Sequence, residues 1–131
     1  MSVEALVQAQ LDAYNAHDVD ALLACYALDA RQYEFPDRLI ARGSAALSER
    51  MTARFAQSRP HAELLHRSVV GTTVIDHERI LNQTPSGPVW RELIAIYEVD
   101  PHLPGPGTQN GRIVSARFVF GEEIPAAVRP G

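Results

Sequence analysis

The stretch that decides the fold is residues 61–99, which read HAELLHRSVVGTTVIDHERILNQTPSGPVWRELIAIYEV. Two short runs of turn-forming residues, GTT at 71–73 and PSGP at 85–88, divide it into three segments. The segments are rich in β-branched and aromatic residues and have strand length. We therefore predict three consecutive strands joined by two turns, over 61–70, 74–83 and 89–99.

The flanking regions complete the prediction. Downstream, the proline- and glycine-rich run 101–111 predicts a loop, 112–120 a last strand, and the tail 124–131 is expected to fray. Upstream, apolar residues three and four apart predict helices over 3–16, 19–26 and 44–57, with Ser2, Asp18 and Ser44 as N-caps. A short strand from Ala30 to Pro36 separates the second and third helices. This order predicts an α+β domain over residues 1–131, with the helices on one face of a curved antiparallel sheet.

Composition excludes several functions. The chain has 131 residues, which suits one domain, and a formal charge of −4, with all 12 positive residues being arginine. Without lysine there is no Schiff-base, pyridoxal phosphate or phosphate-loop lysine chemistry. The mild acidity argues against a nucleic-acid partner. The N-terminus has no signal-peptide pattern and no apolar run reaches 18 residues, so we expect a cytoplasmic protein with no membrane partner.

Several short motifs, in this order, resemble the SnoaL-like and ketosteroid isomerase-like branch of the nuclear transport factor 2-like superfamily. They are Tyr14-Asn-Ala-His-Asp-Val-Asp20, Asp29-Ala30, Ile40-Ala-Arg-Gly-Ser-Ala-Ala46, Ile96-Tyr-Glu-Val-Asp100 and the strand 110–120. The resemblance covers about residues 3–122. It implies a cone-shaped sheet closed by helices around a pocket, which different members use for isomerisation, cyclisation, dehydration or epoxide hydrolysis, and it implies dimerisation through the sheet.

The same resemblance implies candidate catalytic residues. Counting from Ala30, the general base of ketosteroid isomerases falls on Glu34, whereas their oxyanion tyrosine and acid fall on Gln10 and Ala95. The steroid-isomerase pair is therefore missing. Tyr14, one helical turn beyond Gln10, is a candidate replacement donor. The alternatives are that Glu34 lies on a solvated face and that Tyr14 is a core aromatic residue.

The run Asp76-His77-Glu78-Arg79 places four ionisable residues in the middle of a predicted strand. Alternation sends two to each face. Aligned on the turn at Gly71, His77 and Arg79 face the pocket, as acid, base or anion-binding groups. The alternatives are a ladder in which Asp76 and Glu78 pair with Arg67 or Arg91, and a one-residue slip that turns Asp76 and Glu78 inward.

The remaining candidates would bind substrate. Arg91 and Trp90 lie on the next strand, and the apolar wall is expected to consist of Met51, Phe55, Phe118 and Phe120. Asp76, Arg91 and Glu92 have the residue types of the Asp–Arg–Asp set of limonene epoxide hydrolases. We expect no metal site, because the histidine spacing forms no facial triad, and Cys25 is expected to be an inert core residue.

We therefore expect a cofactor-independent pocket enzyme. Glu34 would be the proton-transfer base and His77 its polar partner, acting on an apolar carbonyl-like compound. The alternative is a non-catalytic ligand-binding or dimerisation module of the same fold. A homodimer through the sheet is expected, since Val114, Val119 and Ile94 would otherwise expose apolar area.

Overall fold

Three helices and six strands are present in the computed structural model, which describes residues 2–106 and 110–127. The helices are α1 (Val3–Asn15), α2 (Val19–Ala24) and α3 (Gly43–Ser58), and the strands are β1 (Tyr26–Glu34), β2 (Arg38–Arg42), β3 (His61–Val70), β4 (Thr73–Asn82), β5 (Val89–Pro104) and β6 (Asn110–Pro125). The predicted α+β class is confirmed.

Two of the three predicted N-caps are present. The Ser2 hydroxyl accepts a hydrogen bond from the Ala5 amide at 3.2 Å, and the Asp18 carboxylate accepts one from the Ala21 amide at 3.0 Å. Each thereby satisfies an amide that the first helical turn leaves free. Ser44 is not a cap: α3 already begins at Gly43, and the Ser44 hydroxyl donates to the Leu28 carbonyl instead.

The sheet has the strand order β2-β1-β6-β5-β4-β3, and it is curved and not closed. Only the pairing of β1 with β6 is parallel, which brings the N-terminal strand beside the C-terminal one. Irregularities in the β5–β6 ladder, one of them between Arg91 and Leu93, bend the sheet. The helices fill the concave side, where Leu6, Leu22, Leu47 and Ile113 are at most 1% exposed.

The prediction missed one strand and misplaced several boundaries. The helix predicted over 19–26 ends at Ala24, and β1 begins at Tyr26 rather than at Ala30, since Tyr26 already pairs with Ile113 of β6. Strand β2 was missed because its five residues, RLIAR, carry arginine at both ends and only Ala41 is buried. Strand β5 continues to Pro104, and β6 begins earlier than predicted, at Asn110. Both extensions lie in the run predicted as a loop, because Pro104 and Asn110 are still paired. Strand β6 also includes Ile124 and Pro125, at the start of the predicted tail. Residues 107–109 of the predicted loop and 128–131 of the tail lie outside the described residues.

The register of β4 positions the site. The β3–β4 turn pairs Val70 with Thr73, so it contains two residues, Gly71 and Thr72, rather than the predicted three. The positive φ of 59° at Gly71 suits such a tight turn. Because side chains alternate along a strand, this one-residue difference reverses both faces of β4. Asp76 and Glu78 are buried on the concave side, so the predicted inward orientation of His77 and Arg79 is wrong.

Within residues 2–106 and 110–127, no helix has the length and apolar character needed to cross a bilayer.

Candidate functional site

A cavity of about 240 Å³ lies between the concave face of the sheet and helices α1 and α3. Its size is just below the range of roughly 300–1,000 Å³ that is usual for small-molecule sites. The wall includes apolar side chains from five elements: Leu11, Met51, Ile80, Leu93, Phe118 and Phe120. It also carries two carboxyl groups, one buried and one exposed, three phenols, three guanidinium groups and several amides, so it is far more polar than the sequence predicts.

Glu78 is the buried carboxyl group of the cavity. Its strand alternation and its pairing opposite Leu93 direct it inward, and the residue is 5% exposed. Burial, and secondly the negative charge of Asp76, raise the pKa of Glu78 from 4.5 to about 8, although Arg67 partly opposes this. Among the described residues, no hydrogen bond or ion pair stabilises the Glu78 carboxylate. At neutral pH this group is therefore mostly a neutral acid that can still exchange its proton.

Asp76 is held differently. It is 0% exposed, and the Arg67 guanidinium donates to both of its oxygens, at 2.7 and 3.0 Å. A third Arg67 hydrogen bond, 2.9 Å long, ends on the Gln8 side-chain oxygen of α1. The predicted pairing of Asp76 with Arg67 is thus present, on the inner face of the sheet. This pair keeps a fixed negative charge beside Glu78.

Three tyrosines line the cavity: Tyr14 on α1, Tyr26 on β1 and Tyr97 on β5. Burial is the largest cause that raises the pKa of each of them above its ordinary value, and the charge of Glu78 adds to this. All three are therefore neutral phenols at physiological pH. Tyr14 accepts hydrogen bonds from Arg54, and Tyr26 accepts one from Gln32, so both keep a proton to donate.

Two arginines reach the cavity from α3. Arg50 donates to the Gln32 side-chain oxygen at 2.6 Å and lies over the Phe118 ring, 5.7 Å from its centroid. Arg54 donates to the Tyr14 hydroxyl at 3.0 Å and to the Asn82 side-chain oxygen at 2.7 Å. Burial, and secondly the charge of Arg54, lower the pKa of Arg50.

Five of the ten predicted site residues line this cavity: Tyr14, Met51, Arg91, Phe118 and Phe120. Arg91 lies over the Phe120 ring at 4.6 Å and donates to the Gly121 carbonyl at 2.9 Å. The rings of Phe118 and Phe120 stack with centroids 5.8 Å apart.

The two principal catalytic candidates do not reach the cavity. Glu34 lies at the end of β1, its side chain is 45% exposed, and it pairs with Arg38 at 3.3 Å. Gln32, two residues earlier, occupies the inward position instead. His77 lies on the outer face, its side chain is 40% exposed, and it contacts the Glu92 carboxylate at 2.8 Å. Glu34 lies outside the cavity because it is the last residue of β1. His77 lies outside because the register of β4 turns it to the outer face.

The other three predicted residues also lie elsewhere. Arg79 pairs with Glu63 at 2.9 Å on the outer face and covers the Trp90 ring at 5.0 Å, which places Trp90 outside too. Phe55 is buried between α1 and α3, where it packs against Tyr14 and His17 rather than facing the cavity.

The limonene-type set is not assembled. Glu92 contacts His77 on the outer face, Asp76 is bound by Arg67, and Arg91 lies at the cavity wall. Within residues 2–106 and 110–127, no three His, Cys, Asp or Glu side chains come close enough to share a metal ion. Cys25 is buried, which raises the pKa of its thiol to about 11, so it is a poor nucleophile.

The sequence prediction did not include Arg50, Arg54, Tyr26 and Tyr97. The two arginines flank Met51 and Phe55 at a spacing of four, a signal that they share the inward side of α3. Tyr97 alternates with Leu93 and Ala95, which predicts the same face for all three.

The comparisons with known proteins agree with this geometry at the level of the fold. The chain is similar to an uncharacterised cystatin-fold protein from Novosphingobium aromaticivorans, with 24% identity, a TM-score of 0.72, and coverage of 91% of this chain and 98% of that one. It is similar to the epoxide hydrolase/cyclase-like enzyme SalBIII of pyran ring formation in the polyether salinomycin, with 18% identity, a TM-score of 0.76, and coverage of 91% and 90%.

A third similar structure is an LEH-like epoxide hydrolase from M. tuberculosis, with 18% identity, a TM-score of 0.74, and coverage of 91% of this chain and 82% of that one. No curated protein matches the chain. The family model described as SnoaL-like domain matches residues 7–103. This chain, whose α+β fold and motif order agree with that match, therefore belongs to the SnoaL-like domain family of the nuclear transport factor 2-like superfamily.

Proposed function

We propose that this protein is a cofactor-independent acid–base enzyme that moves a proton beside the carbonyl group of a small, largely apolar molecule. The observation that carries the proposal is Glu78, a buried carboxyl group in the cavity with a pKa raised to about 8. A proton carrier works best when its pKa lies near the operating pH. Glu78 thus takes the proton-transfer role that the sequence assigns to Glu34.

One buried carboxyl group suits an isomerisation. The Glu78 carboxylate would take a proton from the carbon next to the carbonyl, and the electron pair of that C–H bond would move onto the carbonyl oxygen. The resulting acid would return the same proton to another carbon of the conjugated enolate. The reaction therefore balances without a second acid or base. Epoxide opening by the Asp–Arg–Asp arrangement, in contrast, needs a set that this cavity does not assemble.

The tyrosines supply the second requirement of this chemistry. Negative charge develops on the carbonyl oxygen when the proton leaves, and donors already fixed around that oxygen stabilise it. Tyr14, Tyr26 and Tyr97 are neutral phenols in the same cavity as Glu78. They support the proposal because a neutral phenol can donate to an oxyanion.

Deuterium exchange tests the proposal. Wild type would be incubated in D₂O with a panel of aryl and β,γ-unsaturated ketones, and exchange and isomerisation would be followed by proton NMR. We expect Glu78→Gln to lose about 10²–10⁴-fold in rate. Glu92→Gln, which changes an outer-face carboxylate, is the matched control and should keep the rate. A Glu78→Gln variant as active as wild type would exclude Glu78 as the proton carrier.

We also propose that the outer face of the sheet pairs with a second copy of the chain. Ile94 and Val119 are direct cross-strand partners, 37% and 41% exposed, and Ile75 on β4 is 39% exposed. Together they form an apolar strip across three strands, of the kind that protein contacts cover. If no substrate were turned over, this strip and the cavity would favour the second candidate, a non-catalytic ligand-binding dimer.

A further inference from the structure

We propose that the cavity binds an organic carboxylate, with the guanidinium groups of Arg50 and Arg54 holding the carboxylate group and the apolar wall holding the rest of the molecule. The inference deepens the proposed function, on which it rests for the step from ligand to substrate. It would make the substrate a small carbonyl compound that also carries a carboxylate.

The charge balance of the cavity favours an anionic ligand. Arg50 and Arg54 are one helical turn apart on α3, and the side chains that they contact are neutral: Gln32, Tyr14 and Asn82. None of the five ion pairs among the described residues includes either arginine. Two neighbouring cations without a carboxylate partner are costly in a partly buried site, and an anion between them would remove that cost.

The acidic residues of the cavity wall do not neutralise these arginines. Glu78 is mostly protonated at neutral pH, and the charges that act on it most are those of Asp76 and Arg67. The other acidic wall residue, Glu123, is exposed to solvent. The carboxyl groups in the wall therefore leave the two α3 arginines available to a ligand.

The groups around the two arginines also suit an organic carboxylate. Guanidinium groups donate two parallel hydrogen bonds to a planar carboxylate, and Tyr14 next to Arg54 keeps a proton for the same anion. The Phe118 ring lies beneath Arg50, and Met51 and Ile80 extend the apolar surface. A cavity of about 240 Å³ admits a small ligand. The combination fits an aryl or short alkyl carboxylate.

Paired probes test the inference. Calorimetry would compare trans-cinnamate with trans-cinnamamide and 4-phenylbutyrate with 4-phenylbutyramide, which differ only in the charged group. We expect at least one carboxylate to bind wild type about tenfold to a hundredfold more tightly than its amide. Arg54→Gln and Arg50→Gln should each reduce that ratio to below about threefold, while Arg54→Lys, which keeps the charge, should retain part of it.

The controls separate this inference from the proposed function. Arg79→Gln removes an outer-face arginine and should leave the carboxylate preference unchanged, and thermal unfolding would verify that each variant is folded. Glu78→Gln should lose proton exchange but keep the preference. A further outcome is that wild type prefers carboxylates over amides and yet exchanges no proton of the ketones or of keto acids of the same size. That result would contradict the proposed function and leave the carboxylate site supported.

Three results would overturn the inference. One is that no carboxylate of the series binds wild type more tightly than its amide. Another is that Arg79→Gln reduces the ratio as much as Arg54→Gln does. The third is tighter binding of phenyl phosphate than of any carboxylate, which would assign the site to a different anion class.

Discussion

Asp76 and Glu78 are two residues apart on the inner face of β4, and Arg67 binds Asp76 through both carboxylate oxygens, at 2.7 and 3.0 Å. The ion pair leaves a fixed negative charge next to a carboxyl group that is itself buried. Two similar side chains on one strand are therefore held differently: Asp76 is bound by a guanidinium group, and Glu78 is buried beside it with a raised pKa.

The raised pKa of Glu78 predicts a pH-dependent stability. Below pH 4.5 the carboxyl group is protonated in both states, so it causes no difference. Between 4.5 and about 8 the unfolded chain releases the proton while the folded protein keeps it, so stability falls as the pH rises and is constant above that range. The loss is about 5 kcal/mol at most. Urea unfolding at pH 5, 7 and 9 measures it, and Glu78→Gln should remove this part of the slope. An equal slope in both proteins would contradict the raised pKa.

Replacing Asp76 should affect stability and ionisation together. Asp76→Asn leaves the Arg67 guanidinium without its charged partner, and removing one member of a buried pair costs about 3–5 kcal/mol. It also removes a charge that raises the pKa of Glu78, so that pKa should fall. Urea unfolding measures the first effect, and the pH profile of proton exchange the second. Glu63→Gln, in the exposed pair with Arg79, is the matched control and should cost under about 1 kcal/mol.

The tyrosine donors can be tested without disturbing the packing. Tyr97→Phe removes the hydroxyl of a residue that lines the cavity and keeps the ring, which packs edge-on against Phe118. If that hydroxyl stabilises an oxyanion, exchange should slow about tenfold or more at unchanged folding stability. Tyr33→Phe is the control, because Tyr33 lies under Arg117. An unchanged rate in Tyr97→Phe would remove Tyr97 from the proposed donor set.

Predicted catalytic residues that lie outside the cavity should be dispensable for proton transfer. His77→Gln and Glu34→Gln change side chains that lie outside the cavity, so we expect exchange rates within about twofold of wild type and stability within about 0.5 kcal/mol. Rates and urea curves measured side by side with those of Glu78→Gln check this. Loss of activity in Glu34→Gln would support the assignment based on the resemblance instead.

The proposed dimer makes its own prediction. Ile94→Asp places a charge in the centre of the apolar strip, next to Val119, and should convert a dimer into a monomer without changing the cavity. Sedimentation velocity of the two proteins measures the change. Leu28→Asp, at an exposed leucine on β1, is the control. A wild-type protein that is monomeric at all accessible concentrations would contradict the proposal.

The sequence by itself determined the three helices, every described strand except β2, and the order of these elements. Apolar spacing located α1 and α3, turn residues separated β3, β4 and β5, and the motif order indicated the SnoaL-like family. These features depend on neighbours along the chain, which is why local patterns predict them. The cavity wall was partly predictable as well: Met51, Phe118 and Tyr14 lie where helical and strand alternation put them.

The tertiary structure alone decided the face of β4. The segment Val74–Leu81 begins and ends with two apolar residues, so each face of the strand has one apolar residue at each end. The alternation therefore fits either orientation of the strand. Two features select one of these two orientations. The turn at Gly71 has two residues, and Arg67 on the neighbouring strand β3 is the partner of buried Asp76. The same long-range packing buries Glu78 and brings Arg50 and Arg54 to the wall of the same cavity. Burial and charge pairing arise only when distant segments meet, and they decide which of the many ionisable residues can do chemistry.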